Sequence, residues 1–296
     1  MVAVTMRLDE VGQQLRAFRL ESGMRADEIA ARLGVSRAAL YRYEKGEVIK
    51  LDTIQRMAEL LKVSPLTLLG IGVEYYSGVI SFSERMRHVE NDADQILQIS
   101  DPFSFFVVSS EFVDFVGKVR AGSERFQDAA YARASEQSLR ILHERRAAGA
   151  SRRPALITVL PEAAVIRFLR EGVCDGYGLS GDLLVESRRI AAREIQRIIQ
   201  FIENSPIGLQ FSFLPEQGRT TPNCVLMRGR DRVMVAINPL RPDCDPDHVS
   251  GVAMLTGAPE AVNSHQNAAE LLWKTSLKGA EAVTMLQTLL AAWAVE

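Results

Sequence analysis

The chain has 296 residues, 47% hydrophobic and 24% charged. That is ordinary globular composition and length enough for two domains. It excludes low-complexity disorder and collagen, and the lack of any run of about 18 apolar residues excludes a membrane-spanning helix. The net charge is −2, but residues 1–70 carry eleven basic against nine acidic side chains, a surplus too mild to assign a nucleic-acid partner on charge alone. Cys174, Cys224 and Cys244 are odd in number and widely spaced, so they imply no disulfide framework. The first residues lack the apolar stretch of a secretory signal, and a reducing cytoplasm is the expected compartment.

Residues 8–70 read as five short helices. Leu8, Val11, Leu15 and Phe18 fall at helical spacing, and Glu21-Ser22-Gly23 stops that first helix. A second runs from Ala26 to Leu33, with Ile29, Ala30 and Leu33 inward and Gly34 at its C-terminus. Ser36 is the expected N-cap of a third, 37–45, stopped by Gly46. A fourth spans 52–61 with Ile54, Met57, Ala58 and Leu61 inward; Ser64-Pro65 opens a fifth.

Residues 71–81 read as a linker. Residues 82–99 read as a helix with Met86, Val89, Ala93, Ile96 and Leu97 on one face, serving either dimerisation or domain packing. Beyond it, β-rich runs at 105–109, 155–160, 209–214, 223–228, 233–237 and 252–255 alternate with helical stretches at 123–148, 161–171, 182–204, 259–277 and 279–294. Alternation predicts an α/β domain, and the three runs between 209 and 237 predict an antiparallel meander. The expected division is 1–72, a connecting segment 73–99, and 100–296.

The informative stretch is RADEIAARLGVSRAALYRYEKG, residues 25–46. Gly34 permits a left-handed turn, small Ala30 lets two helices cross closely, and Val35 and Leu40 plug the angle between them. Gly34-Val35-Ser36 and Glu44-Lys45-Gly46, followed by the closing helices at 51–69, closely resemble the lambda-repressor-like (XRE-type) helix-turn-helix family over residues 8–70. The resemblance implies a five-helix DNA-binding domain whose helix from Arg37 lies in the major groove. Arg37 and Arg42 would then grip guanine, Ala38 would meet a thymine methyl and Tyr41 a base edge or phosphate, with Ser36 beside them. Lys45 and Lys50 would be phosphate contacts. The family often has Gln where Ala26 stands; that contact would be either missing or made by Arg25. The resemblance also implies an Arg19–Glu44 ion pair inside the domain.

No His-x-Lys pair, Gly-x-Ser-x-Gly elbow or phosphate-binding Gly-x-x-x-x-Gly-Lys occurs, so no catalytic residue, cofactor or enzyme activity is expected. Cys244-Asp245-Pro246-Asp247-His248 has metal-ligand chemistry but no second cluster nearby and reads as a turn; no metal is expected. GVAMLTGAPEAVNSHQNAAELLWKTS, residues 251–276, is similar to the end of effector-binding domains in TrmB-like regulators and, distantly, phospholipase-D-like folds. That implies an α/β sensor and dimerisation domain. Arg167 and Arg170, after the 155–160 run, are candidate contacts for a carboxylate or phosphate effector, or else solvated helix charges. Trp273 and Trp293 read as core. The expected protein is a cytoplasmic one-component transcription regulator, a repressor that binds operator DNA as a homodimer under control of a small effector. The alternatives are an antitoxin-like regulator whose C-terminal domain binds a protein, and a DNA-tethered enzyme with an unrecognised α/β active site.

Overall fold

The computed structural model describes residues 8–70, 72–99, 105–151, 154–216, 221–246 and 251–293. Five helices open the chain: α1 (Leu8–Glu21), α2 (Ala26–Leu33), α3 (Arg37–Glu44), α4 (Leu51–Leu61) and α5 (Pro65–Leu68). Local chemistry sets their ends. Gly34 adopts φ +68°, the left-handed conformation that ends α2, and the Val35 N–H returns to the Ala30 carbonyl at 3.0 Å. The Ser36 and Ser64 hydroxyls cap α3 and α5 by accepting the N–H groups of Ala39 at 3.1 Å and Thr67 at 3.0 Å. Leu15, Ile29, Leu33, Leu40, Met57 and Leu68 are buried together. α1 presses on α3 so closely that a Cβ on Gly12 would sit 2.6 Å from the Glu44 carbonyl oxygen.

The rest is built on one seven-stranded sheet. Its strands are β1 (Val73–Tyr76), β2 (Ala93–Ile99), β3 (Ala155–Pro161), β4 (Leu209–Leu214), β5 (Cys224–Gly229), β6 (Val233–Ile237) and β7 (Ala253–Thr256). The order is β1-β7-β6-β5-β2-β3-β4, with β2–β3 and β3–β4 parallel and the other pairs antiparallel. One face is covered by α6 (Val79–Asn91), α7 (Ser110–Ala121), α8 (Ala129–Ser151), α9 (Glu162–Glu171), α10 (Gly181–Asn204) and α12 (Gly279–Trp293). That core is continuous with the core of the first five helices. The other face packs Ile99, Val159, Leu226 and Val235 against Val262, Ala269 and Leu272 of α11 (Pro259–Thr275).

Several expectations require correction. Residues 82–99 are not one helix: α6 ends at Asn91 and 93–99 is strand β2. Ala93, Ile96 and Leu97 fit helical spacing, yet they lie in a strand hydrogen-bonded on both sides, by β3 and β5, and packed on both faces; burial of that kind erases the two-residue alternation. The linker at 71–81 contains β1 and the start of α6. Residues 105–109 are not a strand. Their carbonyls are satisfied by side chains, Arg197 on Val107 at 3.2 Å and Arg146 on Val108 at 3.1 Å, and Ser109 caps the unanticipated helix α7 by accepting the Phe112 N–H. The stretch from 123 opens as a 3₁₀ turn, Glu124–Gln127, before α8. The antiparallel meander is β5–β6–β7, because β4 returns beside β3 after the crossover through α9 and α10.

The five-helix unit is seated on the sheet region through a buried polar cluster. The Glu74 carboxylate on β1 takes two hydrogen bonds from Arg85 of α6, at 2.9 and 3.0 Å, and others from Tyr76 and from Gln14 of α1. Arg85 also reaches Gln13 at 3.0 Å. Burial opposes ionisation of Glu74, but the Arg85 charge and these hydrogen bonds outweigh it and hold its pKa below the usual carboxylate range. Beside it, Arg16 of α1 donates to Glu84 of α6 at 3.0 Å.

Candidate nucleic-acid interface

α3 turns Leu40 and Ala39 inward and leaves Arg37, Ala38 and Arg42 exposed. Ser36 precedes them at the N-terminus, its hydroxyl occupied as the cap. Tyr41 is half-buried and braced by two guanidiniums: Arg37 lies 5.5 Å and Arg19 5.9 Å from the ring centroid, and Arg37 donates to the Tyr41 hydroxyl at 3.3 Å. Arg19 is itself held by Glu44, its Nη2 3.0 Å from Oε2, as the family resemblance implies. This pair ties α1 to the last turn of α3 and so fixes the tilt of the exposed face.

Four of the eight sequence-derived positions, Arg37, Ala38, Tyr41 and Arg42, lie on one short helix, and Ser36 is its N-cap. The other three flank it. Lys45 follows α3 and Lys50 precedes α4, both exposed. Arg25 opens α2, where its guanidinium meets Asp27 at 3.0 Å. Arg42 meets Glu47 at 3.5 Å. Both pairs are exposed, worth about 0–1 kcal/mol each, so little opposes their exchange for a phosphate or base. Periodicity gives no sign of Arg56, whose Nη1 donates to the Leu33 carbonyl at 3.2 Å and thereby steadies the turn between α2 and α3.

Residues 10–69 match a family model described as a helix-turn-helix domain. These residues form a helix-turn-helix domain. A 68-residue stretch is 41% identical to a protein of Pyrococcus horikoshii named as an HTH-type transcriptional regulatory protein, a match covering 22% of this chain and 21% of the relative. The chain thus spans about a fifth of that relative. A solved structure of TrmBL2, an archaeal chromatin protein, aligns over 77% of this chain and 61% of its own, with 10% identity and a TM-score of 0.34. Outside the helix-turn-helix domain, the two effector candidates on α9 diverge. Arg167 lines a cleft of about 480 Å³ with Arg241, Asp175 and Asn238, whereas Arg170 lies 5.3 Å from the Trp293 ring centroid. Among the described residues no group of three or more His, Cys, Asp or Glu side chains is placed to hold a metal, and no helix is long and apolar enough to cross a membrane; Asp247 and His248 lie outside those residues.

Proposed function

We propose that the chain is a sequence-specific transcription regulator that reads operator DNA with α3. The observation that carries this reading is the exposed Arg37–Ala38–Tyr41–Arg42 face, presented by a helix-turn-helix domain and flanked by Arg25, Lys45 and Lys50. In the groove, Arg37 and Arg42 contact guanine edges, Ala38 a thymine methyl and Tyr41 a phosphate or base edge, while Ser36 stands at the helix start; the three flanking cations contact phosphates. One such helix covers one half-site. Two copies, with recognition helices about 34–36 Å apart, cover a palindromic operator, and repression follows from occupancy. In this reading residues up to about 72 read DNA, and the sheet region joins the two copies and binds an effector. An effector changes DNA affinity only by its differential affinity for the dimer geometries that fit and misfit the operator.

The test is fluorescence anisotropy over a salt series, with DNA from the region upstream of the protein's own gene against a scrambled duplex. Tighter binding to the upstream DNA, weakening steeply with salt, is expected. Absence of binding to either duplex at low salt overturns the reading.

A further inference from the structure

The second face of the sheet is covered, among the described residues, by α11 alone, and beside that helix lies a cleft of about 360 Å³. Its floor is apolar: Leu97, Ile157, Leu226 and Val233, from four different strands, with Trp273 of α11 as a wall. Its rim is polar. Arg228 leaves the end of β5 and donates to the Gln266 amide at 3.3 Å; Gln266 in turn donates to Glu270 at 3.1 Å. Lys274, one turn further along α11, is exposed and lines the same mouth. Two cations and one carboxylate leave a single surplus positive charge at the mouth of an apolar slot. The size lies within the range of small-molecule sites, which combine such floors with a few placed polar groups.

The position of the slot gives it a route to α1. Arg228, one residue before the end of β5, and Val233, the first residue of β6, are both in its lining and lie on either side of the three-residue turn 230–232. That turn is tight, with the Gly229 N–H on the Arg232 carbonyl at 2.9 Å, and Arg232 forms an ion pair with Glu10 of α1 at 2.5 Å. α1 in turn carries the Arg19–Glu44 tie to α3. A ligand that draws Arg228 toward the slot therefore pulls on a turn latched to the first helix of the helix-turn-helix domain.

We infer that this cleft binds a small monocarboxylate with an apolar body, its carboxylate taken by Arg228 and Lys274, and that this is the effector site. The effector role rests on the regulatory reading above; the binding site does not. The full-length protein is titrated calorimetrically with 2-naphthoate and with the neutral 2-naphthol as probes. Naphthoate binds more tightly than naphthol, and Arg228→Gln combined with Lys274→Gln weakens naphthoate by about ten-fold or more while leaving naphthol unchanged. Both side chains are exposed, so the variant keeps its fold, checked by circular dichroism. Saturating naphthoate changes operator affinity in the wild type, and Arg232→Gln binds naphthoate normally yet loses that change. No naphthoate binding, binding no tighter than naphthol, or binding indifferent to the double substitution overturns the site. Normal naphthoate binding with unaltered DNA affinity overturns the effector role. DNA binding without ligand is read separately, so failure of the slot and failure of the regulator reading are distinguishable.

Discussion

Replacing Arg85 by Met tests what holds the helix-turn-helix domain to the sheet. The Arg85 and Glu74 side chains are 0% and 3% exposed, and two donors meet the two carboxylate oxygens at 2.9 and 3.0 Å. Arg85→Met leaves Glu74 with only the neutral Tyr76 and Gln14 as buried partners. Removing one member of a buried pair costs about 3–5 kcal/mol, because the other charge stays desolvated without compensation. Glu74→Gln costs less, because Arg85 keeps the Glu10 carboxylate at 3.9 Å as a counter-charge. Combining the two substitutions removes both charges, so the double variant is expected to be more stable than the sum of the single losses by about 2–3 kcal/mol. Urea unfolding at neutral pH, followed by circular dichroism, yields the four stabilities of the cycle. Single losses that add to within about 0.5 kcal/mol refute the reasoning, since the two charges would then not be acting as a pair.

Four further outcomes are expected. Arg37→Ala loses about 1–3 kcal/mol of discrimination between operator and scrambled DNA, whereas Lys50→Ala weakens both equally and lowers the salt slope by about 0.9; anisotropy titrations separate them. Gly12→Ala drives a Cβ against the carbonyls of Glu44 and Tyr43, at 2.6 and 2.7 Å, and lowers stability by about 1–3 kcal/mol in the same urea assay, while Gly176→Ala, with nothing near its Cβ, does not. Burial of Glu84 favours its neutral form, but hydrogen bonds from His88, Arg87 and Arg16 prevail and hold its pKa well below the usual carboxylate range. Its charge therefore stabilises the fold above about pH 4.3, the unfolded value. The advantage of wild type over Glu84→Gln in urea midpoint shrinks as pH falls below that; a pH-independent gap contradicts it. Burial pushes the Cys224 thiol up to about 11 and raises Cys174 as well, and both are buried, while Cys244 is half-buried. Under native conditions Ellman's reagent should react first with one thiol, and Cys244→Ser should abolish that phase.

The helix-turn-helix domain was legible because its signals are local. Gly34, Ser36, Ser64 and Pro65 act on the backbone within a turn of where they stand, and the end of α2 at Leu33 and the starts of α3 and α5 follow from them. The strands at 155, 209, 224 and 233 were legible as β-rich runs, but their partners were not. Which strand β4 joins depends on a crossover of some fifty residues, and no residue of β4 encodes it. The buried charged groups escaped for a different reason. Patterning assigns charged residues to solvent, yet Glu74, Arg85, Glu90, Arg120 and Arg145 are all buried and paired in three dimensions. The recognition face could be read from one helix. Arg167 and Arg170 could not be placed: three residues apart on α9, one lines a cleft and the other lies against Trp293. The slot beneath α11 draws on residues from Gln95 to Lys274, and no short window contains it.

The pairing of β1 has a consequence for how the protein is made. Val73 lies just beyond the helix-turn-helix domain, yet its partner in β7 is Thr256. A ribosome adding about 5–20 residues per second finishes the first five helices roughly 10–40 s before β7 emerges. Throughout that interval β1, at the edge of the finished sheet among the described residues, lacks its partner β7, and unpaired edges invite association with other chains. Its brevity, four residues, limits that hazard, and Glu74 within it adds a charge that costs dearly to bury against the wrong partner. The nascent chain thus acquires its DNA-reading unit well before the sheet that anchors it is complete.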